Sequence, residues 1–170
     1  MTNEHIRLPH DAISNAVVSI DNAIRHTLNS RAFHVSDKNV VANTSSRTLL
    51  LTTPNTTTRV YLSFKIATNV LIQYFLYENP TISNVGTDVT AYNRDRNSSA
   101  APALTVKHTP TVSNAGTELT GGYLVSNNIN SERIEDRLWV LKQNEEYLIR
   151  ATNNSGGNAN IAILVDWYEE

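Results

Sequence analysis

The chain has 170 residues, 14 basic against 16 acidic side chains, a formal charge of −2 and no cysteine. That length suits one domain with a modest appendage and a core that needs no covalent staple. The absent thiols exclude disulfide frameworks, thiolate metal sites and cysteine nucleophiles, and the near-neutral charge predicts no long-range attraction to nucleic acid or anionic membrane, which leaves proteins as the expected partners.

The excess is in uncharged polar residues: 21 Asn, 19 Thr and 14 Ser, nearly a third of the chain, against 18% charged. Threonine suits strands, and Asn and Ser suit turns. Such hydrogen-bonding surfaces are common in virion and other extracellular assemblies and in carbohydrate binders.

In chain order, residues 1–30 stand apart from residues 31–170. Ile13, Val17, Ile20, Ile24 and Leu28 recur at steps of four and three, the stripe of a helix that Asp11 is placed to cap and that ends near Asn29-Ser30. Val17-Val18 and the Ser, Asn and Thr content weaken the helix, so a short helix and an extended arm both fit. The stripe packs either on its own domain or, as an arm, on a neighbouring subunit. No apolar run in this region is long enough for a signal peptide or a membrane span.

From Phe33 the pattern is of strands and turns. Strands are expected at 32–36, 47–53, 59–67, 70–77, 89–92, 103–108, 119–125, 137–141, 146–152 and 160–168. Val60, Leu62, Phe64 and Ile66 alternate with Tyr61, Ser63, Lys65 and Ala67, giving one core face and one wetter face. In 160–168 both alternating sets are largely apolar, which predicts a central strand covered on its second face as well. A tight turn at Thr68-Asn69 joins two strands. The Asn153–Asn158 loop is expected to return its two flanking strands as a pair. Ten short strands at regular spacing read as an all-β, jelly-roll-like antiparallel β-sandwich.

One phrase occurs twice, thirty positions apart: Pro80-Thr-Ile-Ser-Asn-Val-Gly-Thr-Asp-Val-Thr90 and Pro110-Thr-Val-Ser-Asn-Ala-Gly-Thr-Glu-Leu-Thr120, with seven identities. Each copy reads as an extended segment, a Ser-Asn-x-Gly turn with Gly86 or Gly116 free to take positive φ, and a second extended segment. This is hairpin punctuation used twice.

Chemistry is sparse. His5, His10, His26, His34 and His108 have no metal-ligand spacing, and there is no nucleophile elbow, phosphate loop or dinucleotide fingerprint, so no catalytic residue, metal or cofactor is expected. Glu132, Glu135 and Asp136 lie along one loop-like stretch and do not form the convergent pair that glycoside hydrolysis requires. Trp139 and Trp167 sit in apolar strands and read as packing residues. The cluster Asn93, Arg94, Asp95, Arg96 and Asn97 has alternating charge. Asp95 is expected to hold one of its arginines while Asn93 and Asn97 cap the turn, which makes the loop a candidate interface.

Several phrases, in order, resemble a family of tailed-bacteriophage virion proteins, in particular head-decoration or cement proteins. They are Phe33-His-Val-Ser-Asp37, Thr53-Pro-Asn-Thr56, Phe75-Leu-Tyr-Glu-Asn-Pro80, Gly86-Thr-Asp-Val-Thr-Ala-Tyr-Asn93 with Asp95-Arg-Asn-Ser98, Leu141-Lys-Gln-Asn144 with Tyr147-Leu148, and Trp167-Tyr-Glu169. They span the chain from about residue 20 to its end, and the N-terminal segment matches least. The resemblance implies a non-enzymatic β-sandwich made in the host cytoplasm. It would bind the major capsid protein on the outer surface of the virion, often as a homotrimer, with no nucleic acid or membrane partner. The alternative is a receptor- or glycan-binding module of a tail fibre or baseplate.

Overall fold

The computed structural model describes residues 22–124 and 138–170. A short helix, α1 (Asn22–Leu28), leads into four long strands, β1 (Ala32–Val41), β2 (Ser46–Thr52), β3 (Val60–Thr68) and β4 (Ile72–Glu78). Short strands follow: β5 (Thr81–Asn84), β6 (Thr87–Asp88), β7 (Tyr92–Asn93), β8 (Thr105–His108) and β9 (Thr111–Asn114). The chain closes with β10 (Thr117–Leu124), β11 (Trp139–Leu141), β12 (Glu146–Asn153) and β13 (Ala159–Glu169).

Two antiparallel sheets face each other, ordered β11-β3-β13-β1-β7 and β10-β4-β12-β2-β8-β6, and β5 pairs with β9 separately. Among the eight principal strands the orders are β11-β3-β13-β1 and β10-β4-β12-β2, a jelly-roll winding in which the chain changes sheet at nearly every connection. Alternation sets the core as expected: Val60, Leu62, Phe64 and Ile66 meet Ile161, Ile163, Val165 and Trp167 against Leu49, Leu51, Leu76 and Ile149. β13 is central, between β3 and β1, and its outward residues Ala162, Leu164, Asp166 and Tyr168 are half-buried.

One expected pairing, across the Asn153–Asn158 loop, does not form. β12 and β13 lie in opposite sheets, as do β3 and β4 on either side of Thr68-Asn69. Both β12 and β13 already have two ladder partners, β4 and β2 for one, β3 and β1 for the other, so neither has an edge for its neighbour in sequence. Their connecting loop crosses the end of the sandwich on Asn153, whose side chain is fully buried. Its Nδ2 donates to the carbonyls of Val41 (2.8 Å) and Gly157 (2.7 Å), and its Oδ1 accepts from the Ser155 amide (3.0 Å).

The duplicated phrase also folds differently from two hairpins. The first segments of the two copies pair with each other as β5 and β9, with Ile82 opposite Val112. The second segments pair across with the strand end that precedes the other copy, Thr87 opposite His108 and Thr117 opposite Glu78. The features of the turn recur thirty residues on. The Gly86 amide bonds Asn84 Oδ1 at 2.9 Å and the Gly116 amide bonds Asn114 Oδ1 at 2.9 Å. Ser83 Oγ donates to the Thr111 carbonyl and Ser113 Oγ to that of Thr81. Asn79 and Thr109, each before its proline, have φ of 56° and 52°. The repeat is therefore a local two-fold of the six-stranded sheet, with its axis between β12 and β2 where Leu148 opposes Leu50. These two leucines face away from the interior cluster yet are 0% and 1% exposed. The β5–β9 ribbon leaves the sheet from the ends of β4 and β8.

Candidate interaction surface around the docked helix

Helix α1 ends in a Schellman motif: the Ser30 amide bonds the Thr27 carbonyl (3.0 Å) and the Arg31 amide bonds that of His26 (2.9 Å), with Ser30 at φ 58°. The side chain it turns onto the sandwich is His26, 3% exposed and stacked on Tyr168 at 4.1 Å, which stacks in turn on Tyr61 at 4.6 Å. His26 Nε2 lies 3.1 Å from Glu170 Oε1, and Arg25 reaches the same oxygen at 3.0 Å. Burial holds the His26 imidazole below its ordinary pKa of 6.5, aided by the Arg25 and Arg31 charges and opposed by Glu170.

Because His26 faces the sandwich, the stripe residues on the described helix do not. Ile24 is 56% exposed and Leu28 69%. The remaining stripe residues, Ile13, Val17 and Ile20, lie outside the described residues, as do Glu132, Glu135 and Asp136.

The structure brings the second candidate cluster to the end of this helix. Asn93, on β7 beside β1, is 7% exposed, and its Nδ2 donates to the carbonyls of Ser30 (2.8 Å) and Ala100 (3.3 Å) while its Oδ1 accepts from the Asp95 amide (2.9 Å). Asp95 departs from expectation. Its carboxylate accepts from Ser30 Oγ at 2.9 Å and the Asn97 amide at 3.1 Å, and among the described residues it pairs with neither Arg94 nor Arg96. The αL turn at Ser30 brings a hydroxyl within reach, and that hydroxyl takes the acceptor the arginines were expected to hold. Arg96 instead lies over the Tyr92 ring, 5.3 Å from its centroid. Asn93 and Asp95 thus clamp the helix terminus, which leaves Arg94, Arg96 and Asn97 as the outward members of the cluster.

Removing the clamp separates these roles. Asn93→Ala should cost about 1–3 kcal/mol in urea unfolding, because it strands the Ser30 carbonyl and the Asp95 amide. Arg96→Ala, whose side chain is exposed, should change stability by no more than about 0.5 kcal/mol.

Sequence reasoning missed the docking residues on β13. Glu169 is 8% exposed and its carboxylate accepts from the amides of Ala103 and Leu104 and from Trp167 Nε1, all at 2.9–3.0 Å, tying the loop before β8 to the C-terminal strand. The signal was the Trp167-Tyr-Glu169 phrase, in which the three side chains serve core packing, helix docking and loop capture.

A cleft of about 370 Å³ opens beside this region, between Ser30, Arg31, Thr57, Thr58 and the last two glutamates. Both carboxylates are already engaged, Glu169 by backbone amides and Glu170 by Arg25 and His26. Among the described residues no three His, Asp or Glu side chains converge as metal ligands, and no helix is long and apolar enough to cross a membrane. The arrangement is suited to contact: an apolar pair raised on a pinned helix, beside two outward arginines. No protein-family model matches the chain, and comparisons with curated proteins and with solved structures likewise give no match.

Proposed function

We propose that this chain is a non-enzymatic capsid decoration protein of a tailed bacteriophage, binding the major capsid protein on the outer surface of the head and stiffening the shell as a homotrimer. Synthesis in the host cytoplasm precedes its addition to the virion. The family resemblance motivates the reading. The observation that carries it furthest is the orientation of α1: His26 fastens the helix to its own domain, so Ile24 and Leu28 point away from it. That is the disposition an arm needs if the stripe begun by Ile13, Val17 and Ile20 is to meet another protein. Burying an exposed Ile or Leu contributes roughly 1.5–3 kcal/mol. Contacts of that size, repeated by symmetry, hold a shell without any strong single interface.

The test is cosedimentation with capsids that lack the protein. Ile24→Ser combined with Leu28→Ser should weaken shell binding at least tenfold with an unchanged unfolding midpoint. Removal of residues 1–21 should weaken it too, while sparing His26 and Ser30. A wild-type protein that ignores capsids and binds host cells or glycans would instead place it in a tail fibre or baseplate.

A further inference from the structure

We propose that His26 is an acid-labile latch: helix α1 stays on the sandwich while the imidazole is neutral and lifts off when the ring takes up a proton. The inference is independent of the capsid reading.

The geometry makes the docked site favour the neutral ring. Nε2 lies 3.1 Å from Glu170 Oε1 and 3.5 Å from the Arg25 guanidinium, and we assign the one proton of the neutral imidazole to Nε2 as the donor to the closer carboxylate. Among the described residues the other nitrogen, Nδ1, is buried and has no hydrogen-bond partner. As a lone pair it is tolerated; as a second N–H it is a buried cationic donor with nothing to accept it. The groups facing the ring are Arg25 on its own helix, Arg31 just beyond the helix, Tyr168 and Glu170 at the end of β13, and through Tyr168 the ring of Tyr61. Glu170 favours a cation there, but it is shared with Arg25, and the two arginines disfavour one. In the undocked state both ring nitrogens reach water.

The sign follows. The docked ring binds its proton more weakly than the free ring, so docking is fully favoured above the free value of 6.5 and is lost as pH falls below it toward the lower docked value. The other contacts described above lie toward the ends of the helix, Arg25 on Glu170 and the Ser30 clamp, while Ile24 and Leu28 are exposed, so among the described residues the imidazole is the buried side chain that seats the middle of the helix. Release would bare the face of the Tyr168 ring that His26 covers and let the helix swing about the Ser30 clamp.

The experiment is hydrogen exchange of the full chain from pH 8 to 5, corrected for intrinsic rates, comparing a peptide over residues 22–31 with one over 161–165. Protection over 22–31 should fall by up to tenfold per pH unit below about 6.5, the limit for one linked proton, with 161–165 unchanged. His26→Phe keeps a flat ring for the stack and cannot titrate, so its profile should be level. Protection that is level in the wild type, or that falls equally in His26→Phe, overturns the latch. Should His26→Phe leave the helix unprotected at every pH, NMR titration of the wild-type ring decides: a His26 pKa at or above 6.5 overturns the proposal, and a lower one that tracks the loss of protection supports it.

Discussion

Asp37→Ala is expected to destabilise the domain by about 3–5 kcal/mol, because it leaves Arg47 as an unpaired charge inside the sandwich. Asp37 on β1 and Arg47 on β2 are 7% and 8% exposed, and they join the two sheets through a bidentate pair, Arg47 Nε to Asp37 Oδ2 at 2.6 Å and the guanidinium NH2 to Oδ1. Desolvating both ions offsets most of their attraction, so the pair adds little net stability while either ion alone is costly. Replacing both residues together, Asp37→Leu with Arg47→Met, should therefore return stability to within about 1–2 kcal/mol of the wild type or above it. Urea unfolding of the two single variants and the double variant measures this directly. Single losses that merely add in the double variant would mean that the pair has no such coupling.

Gly86→Ala and Gly116→Ala should each cost roughly 2–5 kcal/mol, from left-handed backbone strain and overpacking together. The two glycines have φ of 84° and 87°, and a Cβ at either would fall against the carbonyl of the strand end before the other copy, 2.1 Å from His108 O or 2.2 Å from Glu78 O. Those contacts are backbone, which cannot swing aside as a flexible side chain would. The local two-fold makes a sharper demand, that the two costs be similar to each other. Gly156→Ala is the control. Its φ is also 87°, but nothing lies within 4 Å of the added carbon, so it should lose only the conformational term, about 1–2 kcal/mol. Thermal unfolding of the three variants would separate strain from collision, and a Gly156 variant as damaged as the other two would remove the collision account.

Much of the β architecture is legible in the residue pattern because strands announce themselves locally. The alternation of Val60, Leu62, Phe64 and Ile66, and the two-sided apolarity of residues 160–168, follow from a side-chain period of two and a single interior. The loop at Asn153–Asn158 was legible because its own residues make the turn, although the pairing expected across it does not form. The segment 89–92 was less legible. Val89 and Thr90 look like strand, but the chain only touches the sheets briefly there, in β6 and β7.

The candidate surface was legible in part. Ile24 and Leu28 were on the predicted stripe and Asn93–Asn97 formed the predicted cluster, but nothing local says that Ser30 joins them or that His26, off the stripe, is the residue that turns inward. Asp95 shows why: alternating charges predict a pairing among neighbours, whereas a hydroxyl 65 positions away in sequence satisfies the carboxylate.

By itself the sequence determined the strand-forming segments, the polar turns, the absence of thiol chemistry and the existence of a thirty-residue repeat. Only the tertiary structure decided which strands meet: β12 with β2 and β4, β13 with β1 and β3, and each copy of the repeat with the other. Backbone ladders are chemically uniform, so a strand carries its own facing but no address for its partner. The partner is chosen by which arrangement buries all the apolar faces at once, a property of the whole chain.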